Sequence, residues 1–275
     1  MNKHIKHNNI YILMRLTIEN KSKQDIFVAI FQLLKNWSTC INICFDKDKL
    51  YIQSIDKSHV CLAYINIKSN WFSNYECINA AKVTVDAQYF AVLMNYALKH
   101  DIIEIKFDDE IEPDKIYVNF LNNKDISNKK GSYDHFFELK LIDLDEDGLE
   151  IPEVEYNVDF EIDTKKFIEV ISELNTFGQD LNIVCNEEKV ELNSSGDAAK
   201  LKVNIPINDL NEYAINEGEE LNISFSLNHI YKMCCSLKMA STIKISLSSE
   251  YPMYLEYNLG EDSKVMFYIA PKIAD

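Results

Sequence analysis

One order of hydrophobic patterns occurs twice along this chain, and that repetition limits its fold more than any motif. In the first half, an alternating stretch from Leu13 to Glu19 leads into a helical stretch from about Lys23 to Asn36. In the second half, Tyr156 to Ile162 leads into a helical stretch from about Lys165 to Asn175. A strand pair about a short polar turn follows each. Asp46-Lys47-Asp48-Lys49 turns Ile41-to-Ser54, and Asn186-Glu187-Glu188-Lys189 turns Leu181-to-Ser194. A further strand and a connection then lead to second helices over about Asp86 to His100 and Leu227 to Met239. Alternating strands such as Ile102 to Phe107 and Ile243 to Leu247 close each copy.

All four helices carry apolar residues at i, i+3, i+4, i+7. These are Phe27, Ile30, Phe31, Leu34; Phe90, Leu93, Met94, Ala97; Phe167, Val170, Ile171, Leu174; and Ile230, Met233, Cys234, Leu237. One apolar stripe per helix suits a helix lying flat on a sheet. Two such helices on an antiparallel sheet, twice over, is an α+β plan. Ser22-Lys23-Gln24-Asp25 has capping-box spacing at the first helix start, and Asp163 or Thr164 can cap the third.

The copies are joined by Ile142 to Pro152, an acidic run ending in proline that reads as an exposed linker. Its apolar residues Ile142, Leu144, Leu149 and Ile151 predict that it docks on something. Asn122 to Ser132 is polar and reads as a loop. The longest apolar stretches, Ile26 to Leu34 and Tyr89 to Leu98, fall far short of the roughly 20 residues of a membrane span. Met1 to Asn9 is polar and carries no apolar signal region, so secretion is not indicated. Seven cysteines without a C-x-x-C pair point to reduced, mostly buried thiols in an intracellular protein.

Neither catalytic nor metal patterns emerge. The six glycines form no G-x-G, and no H-E-x-x-H or nucleophile-and-base arrangement is present. Asp143, Asp145, Glu146 and Asp147 lack the EF-hand ligand pattern and read as a solvated loop. His4 and His7 read as part of a polar tail. Cys40 and Cys44 have no further ligands near them in sequence. The expectation is therefore no enzyme, no cofactor and no resident metal.

Three separated segments resemble proliferating cell nuclear antigen, the DNA sliding clamp family. They are Gln53-Ser54-Ile55-Asp56-Lys57-Ser58-His59-Val60-Cys61-Leu62; Lys140-Leu141-Ile142-Asp143-Leu144-Asp145 continuing to Leu149-Glu150-Ile151-Pro152-Glu153-Val154-Glu155-Tyr156; and Phe267-Tyr268-Ile269-Ala270-Pro271-Lys272-Ile273-Ala274-Asp275. They follow the family's order and spacing. The resemblance implies a polar extension over 1–10, clamp domains over 11–141 and 157–275, and an interdomain connecting loop over 142–156. It implies a homotrimeric ring with antiparallel sheets outside and helices lining a central channel. Such a ring encircles duplex DNA as a polymerase processivity factor and recruits replication and repair proteins. The implied partners are a DNA polymerase, a clamp loader, a flap endonuclease and a DNA ligase, each carrying a short glutamine-and-aromatic motif. The implied compartment is the nucleus, or a cytoplasmic replication factory for a viral protein, since the Asn-, Ile- and Lys-rich composition points to an AT-rich protist or large DNA virus.

Carried over residue by residue, the resemblance places a partner-peptide pocket at Ile55, His59, Val60, Leu62, Ile142, Leu144, Leu149, Ile151, Pro152, Pro252, Tyr268, Ile269, Ala270 and Pro271. For His59 the alternative is a satisfied core histidine. A trimer interface is implied between Phe136, Phe137, Glu138, Leu139 and a neighbour's Lys200, Leu201, Lys202, with Asp134 and Glu138 facing basic residues. Glu187 stands where the family often carries a ubiquitin-accepting lysine, which leaves Lys189 as the nearest candidate. The channel set is Lys21, Lys23, Lys35, Lys99, Lys165, Lys166, Lys232 and Lys238. These eight lysines face five acids on the helices, Asp25, Asp86, Asp163, Glu169 and Glu173, a surplus of three positive charges. The chain's net −16 therefore leaves −19 elsewhere. A positive lining in an acidic shell suits a ring that passes DNA through its centre. The lining is thin, because Val92, Asn95, Ser172 and Cys235 stand where the family commonly has Lys or Arg, and Glu169 occupies a commonly basic slot. Two other readings stay open: a clamp-like protein that does not encircle DNA, as a monomer or a hetero-ring subunit, and a metal-dependent nuclease.

Overall fold

The computed structural model describes residues 14–108, 112–123, 133–144, 148–152, 154–234 and 239–272. The first copy runs β1 (Met14–Ile18), α1 (Lys21–Leu34), β2 (Cys40–Asp46), β3 (Lys49–Ile55), β4 (Cys61–Lys68), β5 (Asn74–Cys77), β6 (Ala81–Asp86), α2 (Ala87–Ala97), β7 (Ile102–Phe107), β8 (Lys115–Leu121) and β9 (His135–Lys140). The second runs β10 (Val158–Asp163), α3 (Thr164–Phe177), β11 (Asp180–Cys185), β12 (Lys189–Ser195), β13 (Lys200–Pro206), β14 (Glu212–Ile215), β15 (Leu221–Ser226), α4 (Leu227–Cys234), β16 (Thr242–Leu247), β17 (Met253–Gly260) and β18 (Ser263–Ile269). The expected α+β plan is thus present in both halves.

The apolar stripes set the helices on the sheets. Phe27, Ile30, Phe31 and Leu34 are all buried, and Phe31 meets Phe90 edge-on at 4.6 Å, which pairs α1 with α2. Phe167, Ile171 and Leu174 do the same for α3. Leu237 of the fourth stripe lies outside the described residues. The start of α1 differs from expectation. Asn20, not Ser22, is the N-cap, its side chain accepting from the Lys23 N–H. Starting there lets the buried Gln24 amide bond the carbonyls of Ile18 and Asp101. Asp163 caps α3, and Asp86 caps α2.

The three sheets split along the repeat. A five-stranded sheet has the order β5-β1-β7-β8-β9, and a four-stranded sheet the order β13-β12-β11-β15. The third has nine strands, β14-β10-β16-β17-β18-β4-β3-β2-β6. Its first five strands are the second copy's equivalent of the five-stranded sheet. Its last four are the first copy's equivalent of the four-stranded sheet. One continuous outer sheet therefore forms where β18 pairs with β4, with Tyr268 opposite Leu62 and Phe267 opposite Ala63.

Aromatic residues fasten this junction from the helix side. Trp37, just past α1, lies 5.5 Å from Phe267, and the buried Trp71 donates its indole N–H to the Leu259 carbonyl. Lys23 adds an ion pair to Glu261 at 2.7 Å. Truncating a buried Trp costs about 3–5 kcal/mol, whereas a partly exposed ion pair contributes about 0.2–1 kcal/mol, so aromatic burial dominates.

Candidate interaction surfaces

The outer face of the nine-stranded sheet is read directly from its register, since opposed residues share a face. One cross-strand row holds Ile55, Leu62, Tyr268 and Tyr254. The next holds Thr84, Asn42, Gln53, Tyr64, Met266 and Glu256. The segment between the copies lies on this face, as its apolar residues predicted. It enters where the Ile142 N–H donates to the Thr84 carbonyl at 2.8 Å. Gln53 grips it midway: its amide donates to the Leu149 carbonyl at 2.7 Å and its side-chain carbonyl accepts the Leu149 N–H at 2.8 Å. It leaves through Tyr156, stacked on Tyr254 at 6.0 Å.

Beside that segment opens a cavity of about 740 Å³. Ile55, His59, Leu62 and Leu149 line it, with Trp37, Cys40, Cys44, Tyr51 and Gln53. His59 is exposed, at the tip of a tight turn with φ of 56°, so it is not a core histidine. That left-handed conformation is one His adopts more readily than most residues. The turn is built by Asp56, whose carboxylate accepts from the N–H groups of Ser58, Val60 and Cys61. Burial alone would raise the Asp56 carboxyl, but bonds from the Ser58 hydroxyl and these three N–H groups outweigh it and hold it below the usual range.

The other predicted pocket residues distribute unevenly. Tyr268 is half-buried beside Leu62; burial, with Tyr156 and Glu256 near it, pushes its phenol up to about 12, which keeps its O–H a donor. Ile142, Leu144 and Ile151 are half-buried, and Pro152 and Pro252 exposed. Val60, Ala270 and Pro271 line a second cavity, of about 640 Å³. Ile269 is fully buried and belongs to the core beneath the surface. Sequence reasoning gave no role to Gln53, Cys40, Cys44 or Tyr51. The signal available was their place on outward positions of β2 and β3, where a large polar or thiol side chain has no core to fill.

Two sheet edges hold the residues assigned to an interface. Phe136, Phe137, Glu138 and Leu139 lie on β9, the edge of the five-stranded sheet, and Lys200, Leu201 and Lys202 lie on β13, the edge of the four-stranded sheet. The Leu141 N–H donates to the Asp114 carbonyl, so along β9 the residues that bond inward to β8 are 135, 137 and 139, and Phe136, Glu138 and Lys140 turn their backbone groups outward. On β13 the Gly196 to Ala199 bond fixes Lys200, Lys202 and Asn204 as the outward set. Phe136 is 69% exposed, a large apolar side chain on an edge that attracts other strands. Glu191 lies on β12 beside β13, where bonds from Lys202, Asn193 and Lys189 hold its carboxyl down at about 2. Its folded value lies below the ordinary 4.5, so its contribution is present above that value and is lost as pH falls toward about 2. Replacing Glu191 by Gln should flatten the acid limb of the melting-temperature profile in that window. Lys189, engaged with Glu191 at 2.9 Å, is not a freely extended acceptor, and Glu187 accepts the Gly218 N–H.

The lysines assigned to the channel fall into two groups. Lys99, Lys165, Lys166 and Lys232 are exposed. Lys21 donates to the Leu98 carbonyl, and Lys35 to the Gln32 side chain. Lys23 is taken up by Glu261, the Trp71 carbonyl and the Trp71 ring, so it braces the junction. Lys238 and Cys235 lie outside the described residues. The exposed face of α2 carries Tyr89, Val92 and Tyr96 in place of cations.

The Ser58 hydroxyl lies 2.9 Å from His229 Nε2, across the junction of the copies. This is not a hydrolase triad, because Asp56 bonds the serine while His229 Nδ1 faces Ser226 Oγ at 2.7 Å, so no carboxylate orients the imidazole from behind. Among the described residues no helix is long and apolar enough to cross a membrane, and the described cysteines Cys40, Cys44, Cys61, Cys77 and Cys185 are free thiols.

Comparison with known proteins yields consistent matches. Residues 17–148 match the sequence profile described as Proliferating cell nuclear antigen, N-terminal domain, and residues 150–272 the profile described as Proliferating cell nuclear antigen, C-terminal domain. The chain is 30% identical over 256 residues to Proliferating cell nuclear antigen of Chaetomium thermophilum, covering 91% of this chain and 96% of the relative. It is 26% identical over 226 residues to Proliferating cell nuclear antigen 2 of Drosophila melanogaster, covering 82% and 86%.

Proposed function

The chain belongs to the proliferating cell nuclear antigen family of non-enzymatic DNA sliding clamps, and from that premise we propose that three copies close into a ring around duplex DNA and recruit partner peptides to the groove beside the connecting segment. A role as sliding clamp and processivity factor in DNA replication follows from the family itself. Encirclement, the groove, service to repair enzymes and a nuclear site of action are the finer reading.

One observation carries the ring: the internal junction can be repeated between chains in a matching register. Ile105, Val118 and Phe137 lie opposite one another across β7, β8 and β9, as Ile245, Leu255 and Phe267 do across β16, β17 and β18. Likewise Ile43, Ile52 and Ile65 match Ile183, Leu192 and Val203. Phe137 thus stands for Phe267, and Leu201 for Ala63. The internal pairing of Phe267 with Ala63 then sets Phe137 opposite a neighbour's Leu201, and Glu138 opposite its Lys200. A second test is independent of this alignment. The Ala270 to Val60 bond makes Tyr268–Leu62 and Met266–Tyr64 the pairs that exchange hydrogen bonds. Their counterparts, Glu138–Lys200 and Phe136–Lys202, are the residues whose backbone groups turn outward. A head-to-tail interface of this kind closes into a ring when its rotation allows. The β4–β18 junction has already used the other two strands of the set, which disfavours a monomeric factor. Native mass measurement should give about three times the 32.0 kDa of one chain; a purely monomeric particle at micromolar concentration would count against the ring.

For the groove, the supporting features are the apolar side chains Trp37, Ile55, Leu62 and Leu149 set among polar ones in its lining, and the pinned segment that forms one wall. Substituting Ile151 by Ser should weaken binding of a glutamine-and-aromatic peptide at least severalfold, at a loss of about 1–3 kcal/mol, with the trimer intact. Calorimetry decides this: unchanged affinity would remove Ile151 from the site.

A further inference from the structure

The turn joining β3 to β4 meets the first turn of α4 at the junction of the two copies. There a carboxylate oxygen of Asp56, the Cys61 sulfur and a ring nitrogen of His229 lie within 4.8 Å of one another. We propose that these three side chains bind one divalent cation of the zinc class, which fastens the second copy's helix to the turn that presents His59.

The donor set selects the ion. Thiolate, imidazole and carboxylate together are the ligands zinc takes, whereas magnesium and calcium take oxygen alone. Three protein ligands leave one tetrahedral position, which Ser58 Oγ or a water can fill; Ser58 Oγ lies 2.9 Å from His229 Nε2. The outer bonds that orient metal ligands are also present. His229 Nδ1 is held by Ser226 Oγ at 2.7 Å, which directs Nε2 toward the cluster. One Asp56 oxygen is fixed by the N–H groups of Val60 and Cys61, and the other lies 3.5 Å from His229 Nε2. Asp56 lines the larger cavity, and Val60, Ser226 and Asn228, next to the cluster in sequence, line the smaller.

Binding is an exchange of cations. The Cys61 thiol releases its proton to solvent as the sulfur–metal bond forms. Because binding displaces a proton, affinity should fall as pH is lowered.

The test uses the full chain after chelator treatment, titrated with cobalt(II) and followed by absorption. We expect one cobalt per chain, a thiolate-to-cobalt charge-transfer band, and displacement by zinc. Cys61→Ser should abolish the band, and His229→Gln should weaken binding at least tenfold. Ser226→Ala should weaken it roughly tenfold by freeing the ring. Cys40→Ser with Cys44→Ser should leave the band unchanged. Circular dichroism and melting in chelator establish that each variant is folded. No charge-transfer band at excess cobalt, or a band that survives Cys61→Ser, would overturn the site and leave Ser226, His229, Ser58 and Asp56 as a hydrogen-bonded latch. The result is independent of ring closure and of the partner groove.

Discussion

Replacing Glu138 by proline is expected to convert the trimer into folded monomers. The argument turns on which way the backbone faces. Glu138 directs its N–H away from β8, so proline removes no backbone bond within the chain and costs only the part-exposed ion pair of Glu138 with Lys115 at 3.4 Å, and edge strands tolerate proline at such positions. Between chains, the same N–H is the donor that the repeated register requires opposite Lys200. The interface cannot rebuild around a missing donor and a pyrrolidine ring, and we expect trimer affinity to fall at least 100-fold. The melting temperature of the dissociated chain should stay close to that of dissociated wild type, which separates an interface effect from misfolding. Light scattering at micromolar concentration reads the outcome. A companion pair tests the register itself. Glu138→Lys should weaken assembly by placing like charges opposite each other, and adding Lys200→Glu should recover about 0.2–1 kcal/mol. Adding Lys202→Glu should not, because Lys202 is engaged by Glu191 at 2.8 Å. An intact trimer in Glu138→Pro would remove β9 from the interface.

What could be read before the structure divides by distance along the chain. The stripe Phe27, Ile30, Phe31, Leu34 announces α1 because helix periodicity is a local property. The two-copy order, the strand pairs and the loop with its apolar residues are legible for the same reason. The cap of α1 is local in position but not in cause. Asn20 and Ser22 both offer a capping oxygen, and the outcome rests on Gln24 reaching the Asp101 carbonyl, 77 residues away. The role of Lys23 was hidden in the same way, since Glu261 lies 238 positions further on. His229 and Ser58 are 171 residues apart, which is why no cluster was visible around either. Gln53 stood inside a segment singled out by resemblance, but its bonds to Leu149 depend on where the connecting segment crosses the sheet. The nine-stranded sheet itself, built from half of each copy, cannot be inferred from periodicity, because β4 and β18 each have an ordinary strand pattern and nothing local says which edge meets which.

On DNA, we expect retention by topology and only weak direct affinity. Of the seven described lysines assigned to the channel, Lys23 is bound to Glu261 and Trp71, while Lys21 and Lys35 donate to neighbouring oxygens. Lys99, Lys165, Lys166 and Lys232 are exposed, and Glu169 and Glu173 are exposed on α3. If about three phosphates are neutralised at once, by Lys99, Lys165 and Lys166, the logarithm of affinity falls with a slope of about −2.7 against the logarithm of salt concentration. Raising salt from about 50 to 200 mM should then weaken binding to linear duplex by roughly 40-fold. Lys165→Ala and Lys166→Ala should each reduce that slope by about 1. Lys23→Ala should leave the slope unchanged and lower the melting temperature instead, because it removes the brace between α1 and the β17–β18 turn. A closed circle changes the outcome entirely. Once a clamp loader has placed the ring on circular DNA, escape requires opening an interface and not merely breaking phosphate contacts. The ring should therefore stay on the circle at salt that strips it from linear duplex, and leave soon after a nuclease cuts the circle. Equal residence on circular and linear DNA, or tight binding to linear duplex at physiological salt, would instead identify an open clamp that does not encircle its substrate.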